Sequence, residues 1–318
     1  MTTTTQNPKR GRPSWFIRFW AIVRYEMLWN IRKKKFLGIL IAVFVIATLV
    51  LIIPIISSRS SGVAITANPN YAITFGGTGF VFLLFAIGIA ANSISSEFES
   101  GSIVPLVTKP VSRTMIFLGK LFGAFIVLVV SYVILYSYIT VASVALYGPQ
   151  NNLQYMPVIV VGSIISTFIW VSLLFAVGSL SKNTIMTVIM TIILFLAVFF
   201  AGPLISLYSQ PSPALNYVPG TGSSGMILAG NGTSVSGGTD NIGVNIVNYA
   251  LYPSANVTYY KYNLTAITAG ETSLPIIGIL YTEPTSLIAL RSLAVAAAYI
   301  AGFLIVAWIA LKRTQILE

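Results

Sequence analysis

The sequence predicts an all-α polytopic membrane protein with six transmembrane helices, an N-terminal interfacial helix and a small β-rich extracellular insertion between helices 5 and 6. Three observations carry that prediction. The mean hydropathy is +0.87 and only 8% of the residues are charged, where a soluble domain carries about 25%. Six apolar stretches reach the roughly 20 residues that a bilayer core demands of a helix. The 18 basic residues are also segregated between alternate connections rather than scattered.

The chain opens on a basic tail, residues 1–14, which reads as disordered. Residues 15–35 place Phe16, Trp20, Val23, Met27 and Ile31 at spacings of four, three, four and four, one apolar stripe of a helix. With Trp15, Trp29 and the run "RKKK" this predicts a helix lying in the cytoplasmic headgroup layer. The alternative is an ordinary positively charged anchor for the first span. The spans are expected near 36–56, 73–95, 116–146, 157–180, 184–207 and 287–311. The first is too long for a signal-peptide core and no small-residue cleavage site follows it. Spans one to five therefore occupy 36–207, and 287–318 holds span six and a short tail.

Orientation follows from the positive-inside rule. A cytoplasmic N-terminus puts fifteen of the 18 basic residues inside: nine before residue 36, then Lys109, Arg113, Lys120, Lys182, Lys312 and Arg313. Only Arg59, Lys261 and Arg291 fall outside. Both termini are then cytoplasmic, the location is the cell membrane, and the net charge of +11 reports topology and contact with membrane lipid. No nucleic-acid partner is implied. Lys120 and Arg291 lie close enough to span ends to snorkel.

The connection 208–286 is then extracellular. It holds the three N-x-[ST] sequons, at Asn231, Asn256 and Asn263, which predicts a glycosylated domain. In "NVTYYKYNLTAI", Tyr260, Tyr262 and Leu264 alternate with Lys261, Asn263 and Thr265, as in a half-buried strand with Asn263 on its wet face. "LPIIGILYTEP" is shorter than a span and bounded by prolines, and reads as a half-helix or interfacial piece.

Neither cysteine nor histidine occurs. A cysteine nucleophile, a disulfide, a histidine base and the usual zinc and haem ligands are therefore excluded, and no catalytic residue, metal site or bound cofactor is expected. No ionisable residue falls near a span midpoint, which argues against an ion-coupled carrier or a channel. Gly76, Gly77 and Gly79 serve close helix packing.

Charge concentrates instead between spans two and three, in "SSEFESGSIVPLVTKPVSRTMIFLGK". Ser96 followed by Glu99 fits a capping box opening a short helix that Gly101 and Pro105 interrupt. Pro110 closes the connection and Ser112 can cap span three. The segment 96–113 is thus a structured cytoplasmic hairpin, although caps and positive-inside residues alone also account for its composition.

The stretch resembles the signature of type-two ABC exporter permeases, especially the branch linked to multicopper-enzyme maturation. Glu97, Glu99, Gly101, Lys109, Pro110, Val111, Ser112, Arg113, Gly119 and Lys120 carry the match. The resemblance implies that the hairpin is the coupling element, seated in a separate ATPase subunit, with Glu97, Glu99, Gly101, Lys109, Pro110, Arg113 and Lys120 as its working residues. It further implies a second permease chain, identical or related, packed through small-residue faces of spans such as two and five. ATP and Mg would sit on the partner, because "FLGKL" lacks the first Gly and the Ser/Thr of a phosphate loop. The 208–286 loop is longer than the re-entrant piece usual in that family, so no substrate is carried over. The rival reading is a non-transporting surface glycoprotein, structural or sensory, whose spans only anchor it.

Overall fold

The computed structural model describes residues 14–60, 70–75, 79–100, 112–208, 212–220, 224–225, 235–236, 239–262 and 276–313. Six helical stretches among them are long and apolar enough to cross a membrane. They are α2 (Lys34–Ser60), α4 (Gly79–Ala90) continued through a turn by α5 (Ser95–Glu99), α6 (Arg113–Tyr147), α7 (Met156–Ser181), α8 (Thr184–Tyr208) and α10 (Thr285–Arg313). The shorter helices are α1 (Trp15–Arg32), α3 (Tyr71–Thr74) and α9 (Ile242–Leu251). Spans two and four form the centre, 67% and 72% buried over their most apolar windows, while spans one and six are 17% buried and present their sides outward.

Local chemistry sets the helix ends. Ser14 and Ser112 accept hydrogen bonds from the backbone N–H of Ile17 and Met115, capping α1 and α6. Lys182 in the left-handed region ends α7, and Asn183 Oδ1 accepts from Met186 N at 3.0 Å to open α8. Ser96 does not cap α5. Its hydroxyl donates back to the Asn92 carbonyl, because the chain is already in a helical turn when it leaves α4 and no fresh N-terminus arises there.

Span three is the hydrogen-bonding hub of the bundle. Tyr138 meets Thr48 of α2 at 2.6 Å, and Tyr132 and Tyr136 meet Thr167 and Ser163 of α7 at 2.5 and 2.6 Å. These hydroxyls satisfy one another where no water competes. Pro54 interrupts the ladder of α2, since it has no N–H to offer the Val50 carbonyl. Tyr71 supplies that proton from outside the helix, 2.9 Å from Val50 O, and Tyr147 donates to the adjacent Leu51 O at 2.7 Å. The two tyrosine rings stack 4.2 Å apart.

The insertion between spans five and six differs from the expected β-rich unit. Its described sheets are two antiparallel pairs: the two-residue strands β1 (Ser224–Gly225) and β2 (Val235–Ser236), and the hairpin β3 (Asn256–Tyr262) with β4 (Ile276–Pro284). The segment read as a half-helix or interfacial piece runs as the strand β4 from Ile276 to Pro284. Val257 and Tyr259 of β3 are buried and pack with Ile288 of α10. A register shift after Tyr259 changes the phase that simple alternation assigns to Tyr260. The helix α9, unforeseen, lies against span four so closely that a Cβ on Gly162 would fall 2.1 Å from Gly243 N. Arg291 does not snorkel: it is buried and grips Glu283 with both guanidinium nitrogens, at 2.6 and 2.8 Å.

Candidate functional site: a buried ionic junction

The helix α1 lies along the start of span three, and two glycines explain how. Gly119 and Gly123 present bare backbone to it: a Cβ at Gly119 would meet Ile22 Cγ2 at 2.7 Å, and one at Gly123 would meet Glu26 Cβ at 2.9 Å. This small-xxx-small track brings the two backbones together. The face of α1 turned to the protein carries Val23, Glu26 and Asn30, all buried. Of the expected apolar stripe, Phe16, Trp20 and Ile31 are exposed instead.

Glu26 therefore sits inside the bundle, 2% exposed, and its partners are the charges of the hairpin region. Lys120 Nζ lies 3.0 Å from Glu26 Oε2 and 2.7 Å from Glu97 Oε1. Ser93 donates to the other Glu26 oxygen at 2.6 Å. Lys120 is 5% exposed, so it does not snorkel but is held between two carboxylates. Lys33, at the hinge between α1 and α2, feels the same charges. Burial lowers its pKa to about 8, with Lys120 and Lys35 pushing the same way and Glu26 and Glu97 opposing.

The remaining described hairpin residues reach further elements at the same end of the bundle. Glu99 Oε2 accepts from Thr184 N at 3.2 Å, at the N-terminus of span five, where a carboxylate is favoured by the helix dipole. Ser95 donates to Thr184 Oγ1 at 3.3 Å, and Lys182 stands 5.9 Å from the Phe98 ring centroid. Arg113 donates to the Lys312 carbonyl at 3.0 Å, tying the start of span three to the end of span six. The region flanking the hairpin is thus fastened to α1 and to spans three, five and six. Gly101, Lys109 and Pro110 lie outside the described residues, as do Asn231 and Asn263. Asn256 is exposed at the first position of β3.

Of the expected working residues, Glu97 and Lys120 come together in one cluster, while Glu99 and Arg113 make separate contacts. Glu26 is the member that sequence reasoning missed. A signal existed: it is the one acidic residue before Glu97, in a helix with three basic residues, Arg18, Arg24 and Arg32, and it falls three residues after Val23 on the same face.

The body is thus six helical stretches long and apolar enough to cross a membrane, with a charged junction at one end of the bundle. A family profile described as ABC-2 family transporter protein matches residues 20–315. The chain belongs to that family, and is a multi-pass membrane permease component of an ABC transporter that works with an ABC ATPase subunit. None of the curated proteins matches it.

Proposed function

We propose that the chain couples nucleotide-driven closure of its ATPase partner to movement of the spans through the segment 96–113, and that the transport it drives is export. The carrying observation is the shared position of Glu97 and Lys120. Glu97 lies where span two runs into the hairpin and Lys120 lies near the start of span three, and Lys120 bridges Glu97 to Glu26 of α1 in one cluster. Breaking a buried ion pair by deleting one partner costs about 3–5 kcal/mol. A pull on the hairpin would therefore reach α1 and span three together rather than dissipate in a loose connection. Glu99 and Arg113 extend the same linkage to spans five and six.

In this reading the end bearing α1, α5 and Lys312 faces the cytoplasm and α1 rests its exposed Trp15, Trp20 and Trp29 among the lipid headgroups. The segment 208–286 faces the exterior, where Asn231, Asn256 and Asn263 are the glycan acceptors, and two permease chains pair. ATP and Mg belong to the partner. The hairpin motif resembles that of the multicopper-enzyme-maturation branch. Family membership stands against the anchored-glycoprotein alternative.

The test is co-purification of the tagged chain with its ATPase subunit, followed by vanadate-sensitive transport in vesicles. Charge reversal at Glu97 or Arg113 is expected to leave the complex assembled yet uncouple ATP hydrolysis from transport. Unchanged coupling in both variants would remove the hairpin from the mechanism.

A further inference from the structure

A cleft of about 300 Å³ opens sideways between spans one, two and five, at the end of the bundle that carries the ionic junction. Its two ends differ in chemistry. Lys35, Asn92 and Thr184 stand at one end, while the walls are aliphatic, formed by Ile39 of span one, Ile87 of span two and Ile189 of span five. Gly88 lets span one approach, since a Cβ there would meet Ile39 Cγ2 at 3.1 Å, and the lining residues Ile185 and Ile189 of span five are exposed on the outer side of the bundle.

The polar end is rich in donors. Lys35 is exposed and makes no ion pair among the described residues, and the half-buried Asn92 side chain has no hydrogen-bond partner among them. The Thr184 hydroxyl accepts from Ser95 and keeps its own proton to give. Glu99 stands at this end, its carboxylate already occupying the N–H of Thr184 at 3.2 Å. It is exposed, so solvent and salt screen its repulsion.

We propose that this cleft binds an anionic membrane amphiphile, with its phosphate-type headgroup on Lys35, Asn92 and Thr184 and its hydrocarbon chain along Ile39, Ile87 and Ile189. Acceptor oxygens on the headgroup match three donors, and a chain already in the bilayer reaches the cleft laterally without crossing water. A soluble anion would leave the aliphatic wall unused, and a neutral amphiphile would leave the ammonium unmatched. The inference is independent of the coupling role proposed above.

The experiment is equilibrium binding of dodecyl phosphate to the full-length chain in a neutral detergent, read by native mass spectrometry, with inorganic phosphate and dodecanol as head-only and tail-only competitors. Dodecyl phosphate is expected to bind at one saturable site that neither competitor empties at equal concentration. Lys35→Gln lowers its affinity about tenfold, Ile189→Trp blocks the chain site, and Glu99→Gln tightens binding by removing the nearby negative charge. Equal affinity in the wild type and Lys35→Gln would overturn the proposal, as would displacement by phosphate alone or by dodecanol alone. Lys35 and Ile189 are both exposed, and unchanged melting of their variants separates lost binding from lost folding.

Discussion

Ile22 of the N-terminal helix lies over Gly119 of span three, its Cγ2 2.7 Å from where a β-carbon would stand. The contact gives a physical reason for a glycine within the "LGK" motif: any side chain there pushes α1 off the span. With α1 goes Glu26, and with Glu26 one of the two counter-charges of Lys120. Backbone approach and ionic pairing are therefore one design feature at this junction.

Gly119→Val should cost about 1–3 kcal/mol by overpacking. The penalty should shrink when Ile22→Ala is added, because the two sites share one space. Thermal melting of the four proteins of that cycle measures it, and additive losses would mean that the two residues do not touch.

Lys120→Ala leaves the buried Glu26 carboxylate unpaired beside the part-buried Glu97 and should destabilise the chain by about 3–5 kcal/mol. Replacing the whole cluster at once, with Glu26→Gln and Glu97→Gln beside Lys120→Met, should recover most of that loss while transport stays impaired. Melting and transport assays run on the same preparations separate the two effects.

Tyr71→Phe should cost about 1–3 kcal/mol, since it leaves the Val50 carbonyl without a donor. In a Pro54→Ala background the same change should cost little, because the restored backbone N–H takes over that carbonyl. A double-mutant cycle by denaturant unfolding in micelles reports the difference.

Asp240 supplies a pH dependence. Burial pushes its carboxyl from 3.8 up to about 6, and a hydrogen bond from the Gly220 backbone offsets only part of the shift. The folded state therefore binds the proton more tightly than the unfolded state, so stability is full below about pH 4 and is lost as pH rises towards 6. Asp240→Asn should abolish that slope. Hydrogen exchange over 239–262 at pH 4 and pH 7 checks the sign, and faster exchange in the acid sample, after correction for intrinsic rates, would contradict it.

Several features of the site were legible because they depend on neighbours in the chain. Ser112 caps span three through its own third residue along, and the six spans emerge from apolar runs that need no partner to be recognised. Glu26 was not legible in the same way. Its role depends on which face of α1 meets span three, and that choice is made by the bare backbone of Gly119 and Gly123, about a hundred residues away. The capping box at Ser96 failed for a related reason: whether Ser96 opens a helix depends on how span two leaves the bundle. Glu99 found its N-terminus on span five instead.

The sequence by itself determined the solvent of this protein, the number of its spans and the segregation of its charge, because hydropathy and the bilayer's thickness act on each segment separately. Only the tertiary structure decided that Lys120 and Arg291 are paired inside the body, that α9 presses on span four through Gly162 and Gly243, and that "IIGILYTEP" runs as a strand. Those outcomes are settled between segments distant in sequence, where close backbone approach and the cost of leaving a buried charge or carbonyl unpaired outweigh local preference.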